Sequence, residues 1–493
     1  MDLHKPAHVV VLSSPGLGHL IPTIELGRHF VIHHNFKLTI LAITSQTSHT
    51  ESQILQSATN PSLYTIIQIP SPNISSLLPS SAAVCTRLFL TMRYSLPSIK
   101  STLTNLDIPP SALIVDIFGT EALTLAEQLN IPKFVYVASH AWFLSLFAYS
   151  PVLDKQIQGQ YIDQKEPFKI PGCKPLRPED LVDPMLDRND LQYKEFLVAA
   201  NNLPKSDAIL VNTWDDLQHR DLKALNGELS GVMKVPVFAV GPLVRQTESE
   251  MSQDTESMFQ WLNKQPKESV IYVSFGSGGT MSCEQMREIA FGLELSKQRF
   301  IWVVRAPTGE AADAAFFTTG SSNGFDENEI GKQLPEGFVE RIKNVGLLVS
   351  EWAPQVTVLK HPSIGGFVSH CGWGSVLESL TNGVPMVAWP LYAEQRMNAT
   401  FLAEELGVGV KTTASLTKNL VGREEIARLV TNLVGQNGKN NHRMRDKVRE
   451  IKVSAEKALC QGGSSCTAMS KVAKIIETGE LITLKKNVQT NEG

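Results

Sequence analysis

Two successive series of short, almost uninterrupted apolar runs constrain this chain more than any other feature. The first reads HVVVL, LTILAI, ALIVDIF, KFVYV and AILVNT; the second reads VIYVSFGS, FIWVVR, GLLVS, GGFVSH, VPMVAWP and GVGVK. A strand with one wetted face alternates apolar and polar residues, so runs without alternation mark parallel strands covered on both faces. Helix-like stretches such as CEQMREIAFGLELSKQ lie between them. Strand, helix, strand in repetition predicts a doubly wound α/β architecture, and the restart of the pattern predicts two such domains. The break falls where VGPLVRQ gives way to the polar TESEMSQDTES. This assigns residues 1–243 to a first domain, 244–257 to a linker, 258–477 to a second domain and 478–493 to a loose tail. A further polar segment at 307–333 is expected to be an exposed, partly disordered loop.

A length of 493 residues supports two such cores. A hydrophobic fraction of 42% and a net charge of −4 are those of an ordinary soluble protein and give nucleic acid or an acidic membrane nothing to attract it. The six cysteines are scattered, with no CxxC pair, as in a protein of a reducing compartment. The N-terminal apolar run is too short for a secretory signal, and no run is long enough to span a bilayer. A cytoplasmic location is expected.

Ligands on such sheets bind beyond the carboxyl ends of the strands, so the residues that follow the apolar runs carry the information. After the first run comes SSPGLGHLIPTIEL (13–26), where Gly16 and Gly18 allow a tight turn and His19 falls at a helix start facing the cleft. A dinucleotide fingerprint would need a third glycine at Ile21 and an acid closing the second strand; neither is present. Asp116 closes the run ALIVD. A carboxylate there is costly unless paired, so it is either bonded to nearby amides or partner to a histidine, fixing its tautomer and stabilising its protonated form. SFGSGGTMS (274–282) offers the hydroxyls of Ser274 and Ser277 and the amides of Gly278 and Gly279 at a helix start, which suits phosphate, but it lacks the lysine of a P-loop.

The densest stretch is FVSHCGWGSVLES (367–379), inside a 44-residue block from Trp352 to Gln395. Its spacing of W-x-P-Q, H-x-x-x-G-x-F, H-C-G-W-x-S, a following glutamate and G-V-P resembles the signature of the plant secondary-product UDP-glycosyltransferases. The resemblance extends along the chain through the early G-H element, VNTWDDL and SFGSGG. IPGCKPL, VDIFGTEA and WPLYAEQRMNA are similar to the hydroquinone and phenylpropanoid glucosyltransferase branch and to some anthocyanidin glucosyltransferase-like members.

The resemblance implies a GT-B fold, two facing Rossmann-like domains with a cleft between them, and a sugar nucleotide held mainly by the second. It implies that Trp352 stacks on uracil, that Ala353 and Gln355 contact base and ribose, and that Glu378 accepts from ribose hydroxyls. His370, Ser375, Ser277 and the amides of the Gly372–Ser375 turn, including Trp373 and Gly374, would grip the diphosphate. Glu394 and Gln395 would bond the hexose hydroxyls beside Tyr392, and a final glutamine goes with glucose. The donor is then UDP-glucose, a co-substrate, with no other cofactor and no metal expected. A helix start carrying a histidine and hydroxyls stabilises a leaving diphosphate on its own. Zinc would want several spaced ligands where only His370 and Cys371 are adjacent, and a hydrolase elbow would need G-x-S-x-G, which is absent. Cys371 reads as a small packed residue and Trp373 as a core anchor beside the donor. Gly374 stands where most members have asparagine, and Glu394 where aspartate is commoner.

The expected reaction is a single displacement that inverts the anomeric carbon. His19 takes the acceptor's proton, Asp116 stabilises the imidazolium, and a β-glucoside of a small phenolic alcohol results. Phe143, Leu144, Phe147 and Tyr149 either wall an aromatic acceptor or pack a helix core. A monomer is expected. Use of another UDP-sugar, or a non-catalytic UDP-sugar-binding relative, are the alternatives.

Overall fold

The structure is a computed structural model that describes residues 6–45, 51, 55, 64–79, 82–245, 253–305, 316, 333–350, 352–413, 420–434 and 439–480. Apart from Phe316 and Gln333, the segment expected to be a loop at 307–333 lies outside the described residues, as does 481–493 of the expected tail.

The five runs of the first series form one parallel sheet together with two edge strands, Thr65–Pro70 and Val237–Ala239, that the series did not include. Its strands are β1 (His8–Ser13), β2 (Lys37–Thr44), β3 (Thr65–Pro70), β4 (Ala112–Asp116), β5 (Lys133–Val137), β6 (Ala208–Val211) and β7 (Val237–Ala239), in the order β3-β2-β1-β4-β5-β6-β7. The second series forms another, from β8 (Val270–Ser274), β9 (Arg299–Val304), β10 (Gly346–Ser350), β11 (Ile364–Ser369), β12 (Met386–Ala388) and β13 (Gly409–Lys411), in the order β10-β9-β8-β11-β12-β13. The central strands β1, β4, β8 and β11 are buried along their whole length, which is why their sequences do not alternate. Strand order reverses between β1 and β4 in one sheet and between β8 and β11 in the other. These are the switch points where doubly wound sheets open a crevice.

One apolar core runs across both halves. The helix α1 (Leu17–His34) follows β1, α2 (Ala141–Gln156) follows β5, and α3 (Trp373–Asn382) follows β11. At the start of α3 the Trp373 ring stacks on His140 with centroids 4.8 Å apart, and its indole N–H donates to the carbonyl of Asn212 at 2.8 Å. Trp142 meets Phe401 edge-on at 5.0 Å beside this contact.

Two boundaries differ from the expectation. Residues 246–252 of the expected linker lie outside the described residues, but a helix already spans Gln253–Leu262. After α4 (Lys439–Leu459), whose Arg445 donates to the Gly365 carbonyl of the second half at 2.9 Å, the last helix, α5 (Ser464–Thr478), returns to the first half. Met469, Val472, Ala473, Ile475 and Ile476 are buried with Leu20, Ile24 and Phe30 of α1. The Ser465 hydroxyl donates to the Gly241 carbonyl, and the indole of Trp214 to the Ser454 hydroxyl at 2.9 Å. The expected second domain at 258–477 therefore lends its final helix to the first sheet. An amphipathic stripe shows that a helix has a partner but not which sheet the partner is.

Ile475→Ala, at a position 2% exposed, is expected to cost about 2–5 kcal/mol. A fall in the urea midpoint at constant slope is the readout; an unchanged midpoint would mean that α5 adds nothing to the first half.

Candidate functional site

A cavity of about 570 Å³ lies between the two crevices and is lined from both halves. On the first side the chain leaves β1, turns at Gly16 with φ +102°, and enters α1 two residues before His19. β4 pairs with β1 and ends at Asp116, so His19 and Asp116 meet at one switch point and both line the cavity. The Asp116 carboxylate accepts from Ser14 N–H (2.8 Å), Ser14 Oγ (2.5 Å), Phe118 N–H (3.1 Å) and Gly119 N–H (3.0 Å). The amide-bonded reading of Asp116 is the one its hydrogen bonds show, and toward His19 it acts through its charge. It caps the turn after β4, and its charge also raises the proton affinity of His19. Burial acts the other way and more strongly, so the His19 imidazole sits below its ordinary pKa and is neutral at pH 7. Phe118 stands edge-on to the ring at 5.0 Å.

The second side repeats the layout. β8 pairs with β11, Ser369 opposite Ser274, so the SFGSGG turn and the HCGWGS turn leave the sheet side by side. His370 fits between two glycines. A Cβ on Gly276, where φ is +73°, would lie 2.4 Å from its ring, and one on Gly372 would lie 2.5 Å from it. Burial, helped by the charge of Arg305, pushes His370 down to about 4, so it too is neutral. Gln355 donates to Ser375 Oγ (2.9 Å) and to Glu378 Oε2 (2.7 Å), and burial pushes Glu378 up to about 7. Trp352 stands at the mouth, 43% exposed, with the Arg245 guanidinium 5.8 Å from its ring centroid. Ala353, Ser277, Gly372, Trp373 and Gly374 also line the cavity. A Cβ at Gly374 would meet nothing within 4 Å, so there is room for the side chain that this position lacks.

The loop after β12 supplies Tyr392, Glu394 and Gln395. The Gln395 carboxamide oxygen accepts from Leu391 N–H (2.9 Å) and Tyr392 N–H (3.0 Å), which folds the loop over it. Burial raises the Glu394 carboxyl, to which Asn398 donates at 3.3 Å.

Among the expected residues, Leu144, Phe147, Tyr149 and Cys371 do not line the cavity. Phe147 packs against Phe143 (5.8 Å) and Phe196 (4.8 Å) in the core, and only the latter two line the cavity. Cys371 is fully buried in a left-handed turn (φ +66°), its carbonyl accepting from Asn398 at 2.8 Å and its thiol pushed up to about 12 by burial. Its side chain faces the core, as its reading as a packed residue implied, and only its backbone belongs to the turn. Arg245 and Arg305 line the cavity and were not anticipated. Arg305 directly follows the run FIWVV, and its guanidinium donates to the Ser277 carbonyl. The rule that site residues follow strands pointed to it; the signature block did not contain it. Among the described residues, no group of three or more His, Cys, Asp or Glu is placed to hold a metal, and no helix is long and apolar enough to cross a membrane.

Because folding raises the Glu378 pKa from 4.5 to about 7, the folded chain binds more protons than the unfolded chain between those values, and this carboxylate's stability contribution is lost as pH rises through that window. Glu378→Gln is expected to flatten the decline; denaturation midpoints at pH 5 and pH 8 that fall equally in both proteins would contradict it.

Known proteins share this arrangement. Residues 236–423 match the family described as UDP-glucoronosyl and UDP-glucosyl transferase. The anthocyanidin 3-O-glucosyltransferase 5 of Manihot esculenta is 53% identical over 472 residues, 95% of either chain. Among solved structures, TcCGT1 in complex with UDP has a TM-score of 0.87 at 42% identity, covering 97% of this chain and 100% of that one. The UGT2 of Phytolacca americana, complexed with UDP-2fluoro-glucose and pterostilbene, has a TM-score of 0.84 at 39% identity over 96% of this chain and 100% of its own. With identity of this order along nearly its whole length and both switch points opening into one cavity, the chain belongs to the UDP-glycosyltransferase family, and its fold is GT-B.

Proposed function

We propose that the protein transfers glucose from UDP-glucose to a hydroxyl of a small phenolic compound, inverting the anomeric carbon. The observation that carries this reading is one cavity bounded at one end by the His19–Asp116 pair and at the other by Trp352, His370 and Glu378. The relatives support the substrate classes. One is named for anthocyanidin 3-O-glucosylation, and another is solved with a UDP-fluoroglucose and a stilbene.

In this reading the exposed Trp352 indole covers the uracil face, where stacking removes apolar surface from water. Gln355 and Glu378 take the ribose hydroxyls. The diphosphate rests on the amides at the start of α3 with Ser375 and Ser277 around it. His370 is neutral and donates a hydrogen bond only, so the formal positive charge near the departing UDP comes from Arg305, with the helix start adding its partial charge. Glu394 and the –NH2 of Gln395 hold the hexose hydroxyls. The acceptor lies against Phe143, Phe118, Phe89 and Phe196, an aromatic wall suited to a planar phenol. His19 removes the hydroxyl proton, the oxygen bonds to the anomeric carbon, and the carbon–oxygen bond to UDP breaks on the opposite face. The Asp116 carboxylate, already held by four hydrogen bonds, stabilises the imidazolium without moving. The scattered cysteines support a cytosolic site of action.

His19→Ala is expected to lower kcat about 10²–10⁴-fold while UDP affinity by calorimetry stays within twofold, and Asp116→Asn to lower kcat more than KM. Full turnover in the His19 variant on a phenol of ordinary acidity rejects the base assignment. Because burial keeps His19 below 6.5, the acid limb of kcat/KM is expected below pH 6.5; a limb at or above 7 would contradict this environment.

A further inference from the structure

We infer that Asp183, which belongs to the N-terminal half, is a positioning residue for the sugar-facing loop of the C-terminal half. The inference rests on the reading of Glu394 and Gln395 as hexose contacts. Between Tyr392 and Glu394 the chain passes through Ala393 at φ +57°, a left-handed conformation that an alanine adopts only when held there. Asp183 holds it from both sides of the peptide. The Ala393 N–H donates to Asp183 Oδ2 at 2.6 Å, and the Asp183 N–H donates to the Ala393 carbonyl at 3.1 Å. Arg396, the residue after Gln395, donates to Asp183 Oδ1 and to the Leu181 carbonyl at 3.1 Å. One carboxylate thus pins the loop on either side of the two residues assigned to the hexose.

The segment that carries Asp183 is itself anchored across the two halves. Three residues earlier Asp180, 2% exposed, accepts from Thr400 Oγ1 at 2.6 Å and from Lys411 Nζ at 3.1 Å. The same segment lines the cavity through Val182, Pro184 and Leu186. It is therefore both a wall of the acceptor space and the clasp of the sugar loop. The groups assigned to uridine, namely Trp352, Gln355 and Glu378, stand on other elements and do not depend on it. Loss of the clasp is expected to remove the affinity that the hexose adds to UDP and to leave the UDP part unchanged. It follows that sequence changes in this acceptor-side segment alter selection among donor sugars.

The test is calorimetric titration of UDP and of UDP-glucose into the wild type, Asp183→Ala, Asp183→Asn and Gln395→Ala, each shown folded by its thermal transition. Asp183→Ala is expected to weaken UDP-glucose at least tenfold with UDP within twofold. Asp183→Asn, which keeps an oxygen for the Ala393 N–H, is expected to recover part of the loss. Similar losses for UDP and UDP-glucose in both Asp183 variants would show a general structural role and overturn the inference. If Gln395→Ala weakens UDP-glucose and Asp183→Ala does not, the clasp alone is overturned. If neither weakens it, the hexose assignment fails and the clasp fails with it.

Discussion

The two crevices form one site because Trp373 is locked between the halves. Its ring lies against His140, its N–H is spent on the Asn212 carbonyl, and Trp142 and Phe401 close around the contact. Burial pushes His140 down to about 3, so it meets the indole as a neutral ring and not as a cation. The same tryptophan opens the helix whose N-terminal amides face the cavity. The contact that joins the halves and the turn proposed to receive the phosphates are thus consecutive parts of one element. A second set of ties, from Asp183 and Asp180 to the loop after β12 and to the chain beyond it, fastens the other edge of the cleft.

Within that frame the chemistry follows from burial. Both cavity histidines lose their charge to desolvation, and the two carboxyls Glu378 and Glu394 have their pKa values raised for the same reason. Asp116 accepts from two backbone amides of its own turn and from the amide and hydroxyl of Ser14. A neutral base beside a fixed carboxylate is the arrangement that acid–base work at neutral pH needs. The placement of Arg305 by the phosphate-suited turns puts a full charge where the histidine supplies none.

How much was legible depended on whether a signal was local. The central strands could be read from their runs, because burial on both faces removes alternation, whereas the edge strands β3 and β7, only partly buried, were not among those runs. His19, Asp116, His370 and Ser277 were singled out because they stand at strand ends or just beyond them, and all four line the cavity. Phe143 and Phe147 could not be separated, since four residues along a helix that is apolar almost all round does not say which ring borders empty space. Cys371 stood in the densest motif and read as a small packed residue, which its burial in a left-handed turn matches. The return of α5 to the first sheet was hidden, because its stripe of Met469, Val472 and Ile476 fits either half.

By itself, the order of residues determined the two parallel sheets, the turns that end their strands and the types of side chain those turns carry, because each rests on contacts within a few residues or on burial that leaves a periodic trace. Tertiary structure alone decided that β1 lies beside β4 and β8 beside β11, and that the two switch points face each other. It also decided that Arg305 joins His370 and that Asp183 reaches Ala393, 210 positions away. Those pairings come from packing between elements far apart in the chain, and no local pattern records which partner an apolar face or a carboxylate will meet.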